Sequence, residues 1–216
     1  MNSLEDELER AQDLSIDDLA EAIERIGFEC TRCGACCRGH DDEEHTATVF
    51  PDEVRKLRET DDEYDWRDVA RPMPYGLVET EDGLEGETFE WAIQTDDCGD
   101  CVFYEEAEGV GACRAHADRP LICRTYPFSV DFGGTSQPRG EAVDEEGVVR
   151  AHECEGLGRD ISREDAKELA RALRERAIRE LEEAIAVRDA YEPTDADGVV
   201  VHDSEGAKRI DGTPLE

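Results

Sequence analysis

The cysteines constrain this chain more than any other feature, because Cys30, Cys33, Cys36 and Cys37 crowd into one short run. That run, FECTRCGACCRG at residues 28–39, also carries Gly34 and Gly39. Glycine weakens a helix interior and lets the backbone fold back on itself, so the run predicts a loop wrapped around a ligand. A C-x2-C step lets two sulfurs reach one metal while the intervening N–H groups turn toward them. Two successive steps place three thiolates around one centre. Cys37 is adjacent to Cys36, and vicinal side chains diverge; it serves a different centre or reaches the same one from another side. A second group follows, Cys98, Cys101, Cys113 and Cys123, with Cys154 further on. Four thiolates are the usual complement of structural zinc and of a [4Fe–4S] cluster. The second group therefore completes the first centre or builds another, and one site plus structural cysteines is the alternative.

Thiols act as ligands only where they stay reduced. The opening stretch MNSLEDELERAQ is acidic, unlike a signal peptide, and no apolar run approaches the length of a membrane span. A cytoplasmic chain is expected, in a compartment where disulfides are rare. Nine cysteines, an odd number, also suit a simple disulfide framework poorly. Two blander readings are weaker. Isolated buried thiols behave as small hydrophobes, but these are clustered. Thiol–disulfide oxidoreductases use one C-x2-C at a helix N-terminus, not a crowded run.

Only 38% of residues are hydrophobic and 6% aromatic, so the apolar core is modest and a metal centre would add folding energy to it. The chain carries 58 acidic against 24 basic residues, for a formal net charge of -34. A cationic partner and disorder are two explanations. Adaptation of the surface to molar salt is the one we favour: repulsion is screened over roughly 3 Å at 1 M, and dense carboxylates keep the protein soluble. The acidity argues against nucleic acid as a partner, which needs a basic footprint, and against reading function from charge.

Periodicity predicts an α+β chain. Residues 3–13 read as a short helix. Ser15 opens a second, with Ile16, Leu19, Ile23 and Ile26 on one face and Gly27 placed to end it. Residues 46–50 suggest a strand, and Pro51 a helix through about Glu59. Residues 60–86 look irregular. Two strands are predicted near 77–80 and 87–93, and a loop within 136–147. Ser162 opens the best helix, with Leu169, Leu173, Ala177, Leu181, Ala184 and Ile185 as its stripe to about residue 190. A tail hairpin around Ser204–Gly206 is one option, a loose tail the other. The expected organisation is N-terminal helices over 1–27, a cysteine-cluster domain over 28–160, a long helix over 161–192 packing on it, and a tail over 193–216.

Around the cysteines, Arg32, Arg38, Arg119 and Arg124 can offset thiolate charge or pair with surface acids. Tyr126 and Phe128 read as core. His40, His45, His116 and His152 lie near the cysteines in sequence, but with so many thiols none is required as a ligand. His202 reads as a solvated tail residue. The first three cysteines match the opening of the bacterial ferredoxin run; Cys37 and the missing proline depart from it.

The segments CTRCGACCR from Cys30, CVF from Cys101, CRAHADRPLICRTYPF from Cys113 and CEG from Cys154 together resemble the YkgJ-type cysteine-cluster family, a zinc- or iron-chelating CxxCxxCC domain. The resemblance implies a metal centre held by Cys30, Cys33, Cys36, Cys37, Cys101, Cys113, Cys123 and Cys154. Cys98 departs from the family pattern. Some members are labelled Fe–S oxidoreductases, and a related flagellin lysine methylase carries a similar run. The cofactor expected is therefore an iron–sulfur cluster, [4Fe–4S], or zinc, serving redox chemistry or electron transfer. A zinc-stapled interaction module and a protein lysine methylase-related enzyme are the alternatives. No catalytic constellation, nucleotide site or S-adenosylmethionine signature is legible.

Overall fold

The computed structural model describes residues 3–39, 44–81, 83–133, 142–144 and 146–215. Helices α1 (Leu4–Gln12) and α2 (Ile16–Ile26) come first. A 3-10 turn at Ala35–Cys37 leads to strand β1 (Thr48–Val49), α3 (Pro51–Arg58), α4 (Trp66–Val69) and β2 (Ala70–Pro72). Strands β3 (Leu77–Thr80), β4 (Gly83–Thr88), β5 (Trp91–Ile93), β6 (Tyr104–Ala107) and β7 (Val110–Cys113) follow. Then come a 3-10 turn at His116–Asp118, α5 (Leu121–Thr125), β8 (Phe128–Val130), β9 (Ala142–Asp144), β10 (Val149–His152), α6 (Arg163–Ala190), β11 (Val199–Asp203) and β12 (Gly206–Arg209). The chain is α+β, and among the described residues no helix is long and apolar enough to cross a membrane.

The chain divides into two units. The first comprises Met1–Cys36, Glu108–Gly111 and Leu121–Glu182; the second comprises Cys37–Ala107, Ala112–Pro120 and Glu183–Glu216.

In the first unit, caps set the helix starts. The Ser3 hydroxyl accepts from Asp6 N at 3.1 Å, and the Asp6 carboxylate accepts from Ser3 N in return. Ser15 accepts from Asp18 N at 3.3 Å. Gly27 ends α2 at φ +77°, where a Cβ would meet the Arg159 carbonyl oxygen at 2.5 Å. Of the predicted α2 stripe, Leu19 and Ile23 are fully buried, while Ile16 and Ile26 pack at the core's edge. Each buried side chain contributes about 2 kcal/mol by leaving water. Facing them are Phe128, Val130, Val149 and Ala151, from the antiparallel sheet ordered β8-β10-β9. Leu173, Ala177 and Leu181 of α6 close the same core. The expected loop within 136–147 proves to hold β9 at Ala142–Asp144; its residues 136–141 and 145 lie outside the described residues.

The second unit is built on two further sheets, β1-β5-β2 and β12-β11-β4-β3. The tail forms the hairpin, and β11 also pairs parallel with β4, Val199 opposite Gly86. Two expectations need correction here. The described residues of 60–86 form α4, β2, β3 and the start of β4: Asp65 accepts from Arg67 N and Asp68 accepts from Asp65 N, both at 2.7 Å, which caps α4. Acids that read as surface charge act there as helix caps. The strand expected at 87–93 is split, because Phe89 and Glu90 are both exposed and break the alternation; β4 ends at Thr88 and β5 joins a different sheet.

A buried polar network locks the tail hairpin. Trp91 Nε1 donates to Asp203 Oδ2 at 2.8 Å, and Lys208 Nζ lies 2.8 Å from the same oxygen and 2.7 Å from Glu205 Oε2. Arg55 grips Glu205 with both terminal nitrogens, at 3.1 and 2.7 Å. His202, read from sequence as solvated, is only 3% exposed. Its Nε2 lies 3.1 Å from Glu87 Oε1, and its ring stacks on Phe89 at 5.5 Å between centroids.

Candidate metal centre

The cysteine run leaves α2 through Gly27 and is pinned at once to a distant segment. Phe28 bridges antiparallel to Leu157, Glu29 N donates to Gly156 O at 3.0 Å, and Gly158 N donates to Gly27 O at 3.0 Å. This pairing carries Cys30 to the chain that bears Cys154. Gly156 is required at the crossing: a Cβ there would stand 2.4 Å from the Glu29 carbonyl oxygen. Beyond Cys30 the backbone turns through left-handed conformations at Arg32, φ 57°, and Gly34, φ 77°. Arg32 is exposed and its carbonyl accepts from Gly111 N at 2.8 Å. The predicted loop is thus present, closed by the short 3-10 turn Ala35–Cys37.

Within the first unit the thiols of Cys30, Cys33 and Cys36 lie within electrostatic reach of Cys154. Burial pushes the Cys154 thiol up; the Gly156 N–H, 3.4 Å from its Sγ, opposes this, and the charges of Cys36, Cys33 and Cys30 reinforce it. Tyr126 is pushed up to about 12, chiefly by burial, then by Cys154, Cys36, Glu153 and Cys33. Its hydroxyl donates to the Glu153 carbonyl beside Cys154. Mutual repulsion of this kind is what a bound cation reverses, since metal ions deprotonate coordinating thiols. Among the described residues, no three His, Cys, Asp or Glu side chains stand together at ligating distance. The donor set nevertheless fits a thiophilic metal in its chemistry: none of the nine cysteines forms a disulfide, and soft thiolates select zinc and iron–sulfur clusters.

In the second unit the Cys37 carbonyl accepts from Cys101 N at 2.8 Å, and the Cys101 carbonyl accepts from Tyr104 N at 2.8 Å. The Tyr104 hydroxyl, which donates to Glu106 at 2.8 Å, is pushed up first by burial and by that bond, with a contribution from Cys37. Arg114 N donates to Phe103 O at 2.9 Å, which lays Cys113 alongside Tyr104. Cys101 is buried and Cys113 half-buried. Cys98 is exposed, and its N–H is held by Asp96 Oδ1 at 2.8 Å. Cys123, in α5, is half-buried and belongs to the first unit.

The candidate second-layer residues fare unevenly. Arg119 Nε donates to the His116 carbonyl at 3.1 Å, Arg38 reaches Glu106 at 3.9 Å, and Arg124 is exposed. His116 is exposed, His45 uses its carbonyl to accept from Arg71, and His152 is buried with Nε2 2.8 Å from Ser129 Oγ. His40 lies outside the described residues. Phe128 is core as expected, at 1% exposure. Tyr126 does more than fill space, since it buttresses the backbone next to Cys154. The only sequence signal for that role was its closeness to Cys123.

An α+β fold in which backbone pairing brings the segment of Cys154 to the Cys30 loop is that of a cysteine-rich domain. Residues 29–155, more than half of the chain, match the CxxCxxCC family, described as "Putative zinc- or iron-chelating domain", and the chain belongs to that family. No curated protein and no solved structure matches it. Membership establishes a metal-chelating class of domain and leaves the metal to be identified.

Proposed function

We propose that this protein binds metal through Cys30, Cys33, Cys36, Cys37, Cys101, Cys113, Cys123 and Cys154, and that the metal is carried as an iron–sulfur cluster with a redox or electron-transfer role. The observation that supports this best is the bridge at Phe28–Leu157, which brings Cys154 to the Cys30–Cys36 loop. An iron–sulfur cluster would supply one-electron transfer, at a potential set by charge, solvent exposure and hydrogen bonds to sulfur. Cys154 receives such a bond from Gly156 N–H. Cys30 and Cys36 are exposed, which opens one side of the group to a redox partner. The chain's own residues fix the geometry: Gly156 allows the close crossing, Tyr126 holds the Glu153 carbonyl, and the left-handed turns at Arg32 and Gly34 bend the loop.

A zinc-stapled interaction module is the second reading. It is supported by the same all-cysteine set, which suits a closed four-coordinate structural site. The acidic surface, on either reading, adapts a cytoplasmic protein to molar salt. Anaerobic purification in concentrated KCl, followed by iron, zinc and acid-labile sulfide analysis, separates the two. A brown protein containing iron and sulfide is expected. A colourless zinc protein without sulfide transfers the account to the second reading, and a metal-free protein removes both.

A further inference from the structure

We infer that seven of the eight proposed ligands divide between two centres: Cys30, Cys33, Cys36 and Cys154 hold one, and Cys37, Cys101 and Cys113 are ligands of another. This rests on the reading that the cysteines bind metal, and goes beyond it by saying how they are shared.

The division starts at the vicinal pair. Cys36 and Cys37 lie in a 3-10 turn, Ala35–Cys37. Three residues per turn separate neighbouring side chains by roughly 120° about the axis, so the two sulfurs leave on different sides. Cys36 belongs with the first unit and Cys37 with the second. The first set assembles by backbone pairing: Phe28 opposite Leu157, with hydrogen bonds of 3.0 Å at Glu29–Gly156 and Gly158–Gly27. That pairing brings the loop of Cys30, Cys33 and Cys36 beside the segment that bears Cys154. Those four already complete a tetrahedral thiolate site, which leaves no position for Cys37.

The second set assembles by different backbone bonds. Cys101 N donates to Cys37 O at 2.8 Å, and Gly39 N donates to Asp100 Oδ1 at 2.9 Å, so the loop before Cys101 wraps the chain after Cys37. Tyr104 N is bonded to Cys101 O, and Cys113 runs alongside Tyr104. Three protein thiolates leave one position of a tetrahedral centre for a further donor. Charge favours the division as well. Four thiolates on one divalent ion leave a net charge of about −2, whereas gathering all the thiolates on one ion would concentrate far more charge at a single point.

Cobalt(II) titration of the reduced apo-protein, full-length and in molar KCl, tests the division through the thiolate-to-metal charge-transfer band. The wild-type band should saturate at two equivalents. Cys154→Ser should retain one, and Cys101→Ser should retain the other. Saturation of the wild type at one equivalent overturns the division and leaves metal binding intact. So does a variant that loses both equivalents while keeping its far-UV circular dichroism. Absence of any charge-transfer band in the wild type overturns metal binding itself. The wild-type stoichiometry decides the question even where a variant fails to fold.

Discussion

Gly156→Ala offers the sharpest test of how the cysteine loop is held. The added methyl would sit 2.4 Å from the Glu29 carbonyl oxygen and 3.1 Å from Phe28 Cε2. The first distance is a full ångström short of the 3.4 Å at which ordinary contact begins. That oxygen is backbone, so no side-chain rotation relieves the clash; the two strands must separate. Opening by that amount stretches the 3.0 Å bonds Glu29 N–Gly156 O and Gly158 N–Gly27 O beyond hydrogen-bonding range. Overpacking of this kind costs about 1–3 kcal/mol, and each lost bond contributes about 1 kcal/mol within that total. Alanine keeps its own N–H, so the bond to Cys154 Sγ is lost only if the segment moves. We expect denaturant unfolding in molar KCl to show a fall of about 2 kcal/mol. Metal release to a competing chelator should quicken by about tenfold, as for loss of a residue that orients a ligand. Wild-type stability together with wild-type release would refute the argument that this crossing positions Cys154.

Three further outcomes follow from the same structure. Arg176 is buried at 5% exposure and donates to Thr125 Oγ1 at 3.0 Å and to the Phe128 carbonyl at 3.2 Å; Arg176→Met should cost about 3 kcal/mol in equilibrium unfolding by leaving those acceptors unmatched. Glu205 is held down to about 2, first by its bond to Arg55, with burial opposing and Lys208 assisting. Its folded value lies below the unfolded one, so its contribution is complete above the ordinary carboxylate range and fades as pH falls from about 4.5 toward 2. Glu205→Gln should flatten that part of an acid-stability profile measured by circular dichroism. Dilution of salt should unfold the wild-type protein and concentrated KCl should refold it, since screening shrinks from about 30 Å at 0.01 M to about 3 Å at 1 M. Cooperative folding in dilute buffer would contradict that.

Much of the helical framework could be read directly, because it depends on local chemistry. Ser3 and Ser15 announce their helices through side chains that cap them, and Gly27 announces an end that only a left-handed residue can make. Of the stripe expected on α6, Leu173, Ala177 and Leu181 are buried, Leu169 and Ile185 are half-buried, and Ala184 is exposed. Reading failed where partners are distant. Arg176 looks like one of many charged residues on α6, and its carbonyl and hydroxyl acceptors lie some fifty positions earlier in the chain. His202 reads as tail until β11 pairs with β4 and brings Glu87 to it. The acids at Asp65 and Asp68 are indistinguishable by composition from the rest of an acidic surface, yet they cap α4. For the cysteines, C-x2-C spacing singles out Cys30, Cys33 and Cys36 as candidate ligands of one centre. It carries no information on the crossing at Gly156, which only the paired backbones of residues 27–29 and 156–158 disclose.

X-ray absorption at the metal edge of the protein as isolated measures the ligand atoms themselves. The account predicts a first shell dominated by sulfur, near 2.3 Å for zinc or iron bound by thiolate. A shell dominated by nitrogen or oxygen, with the cysteines still open to alkylation, would contradict it.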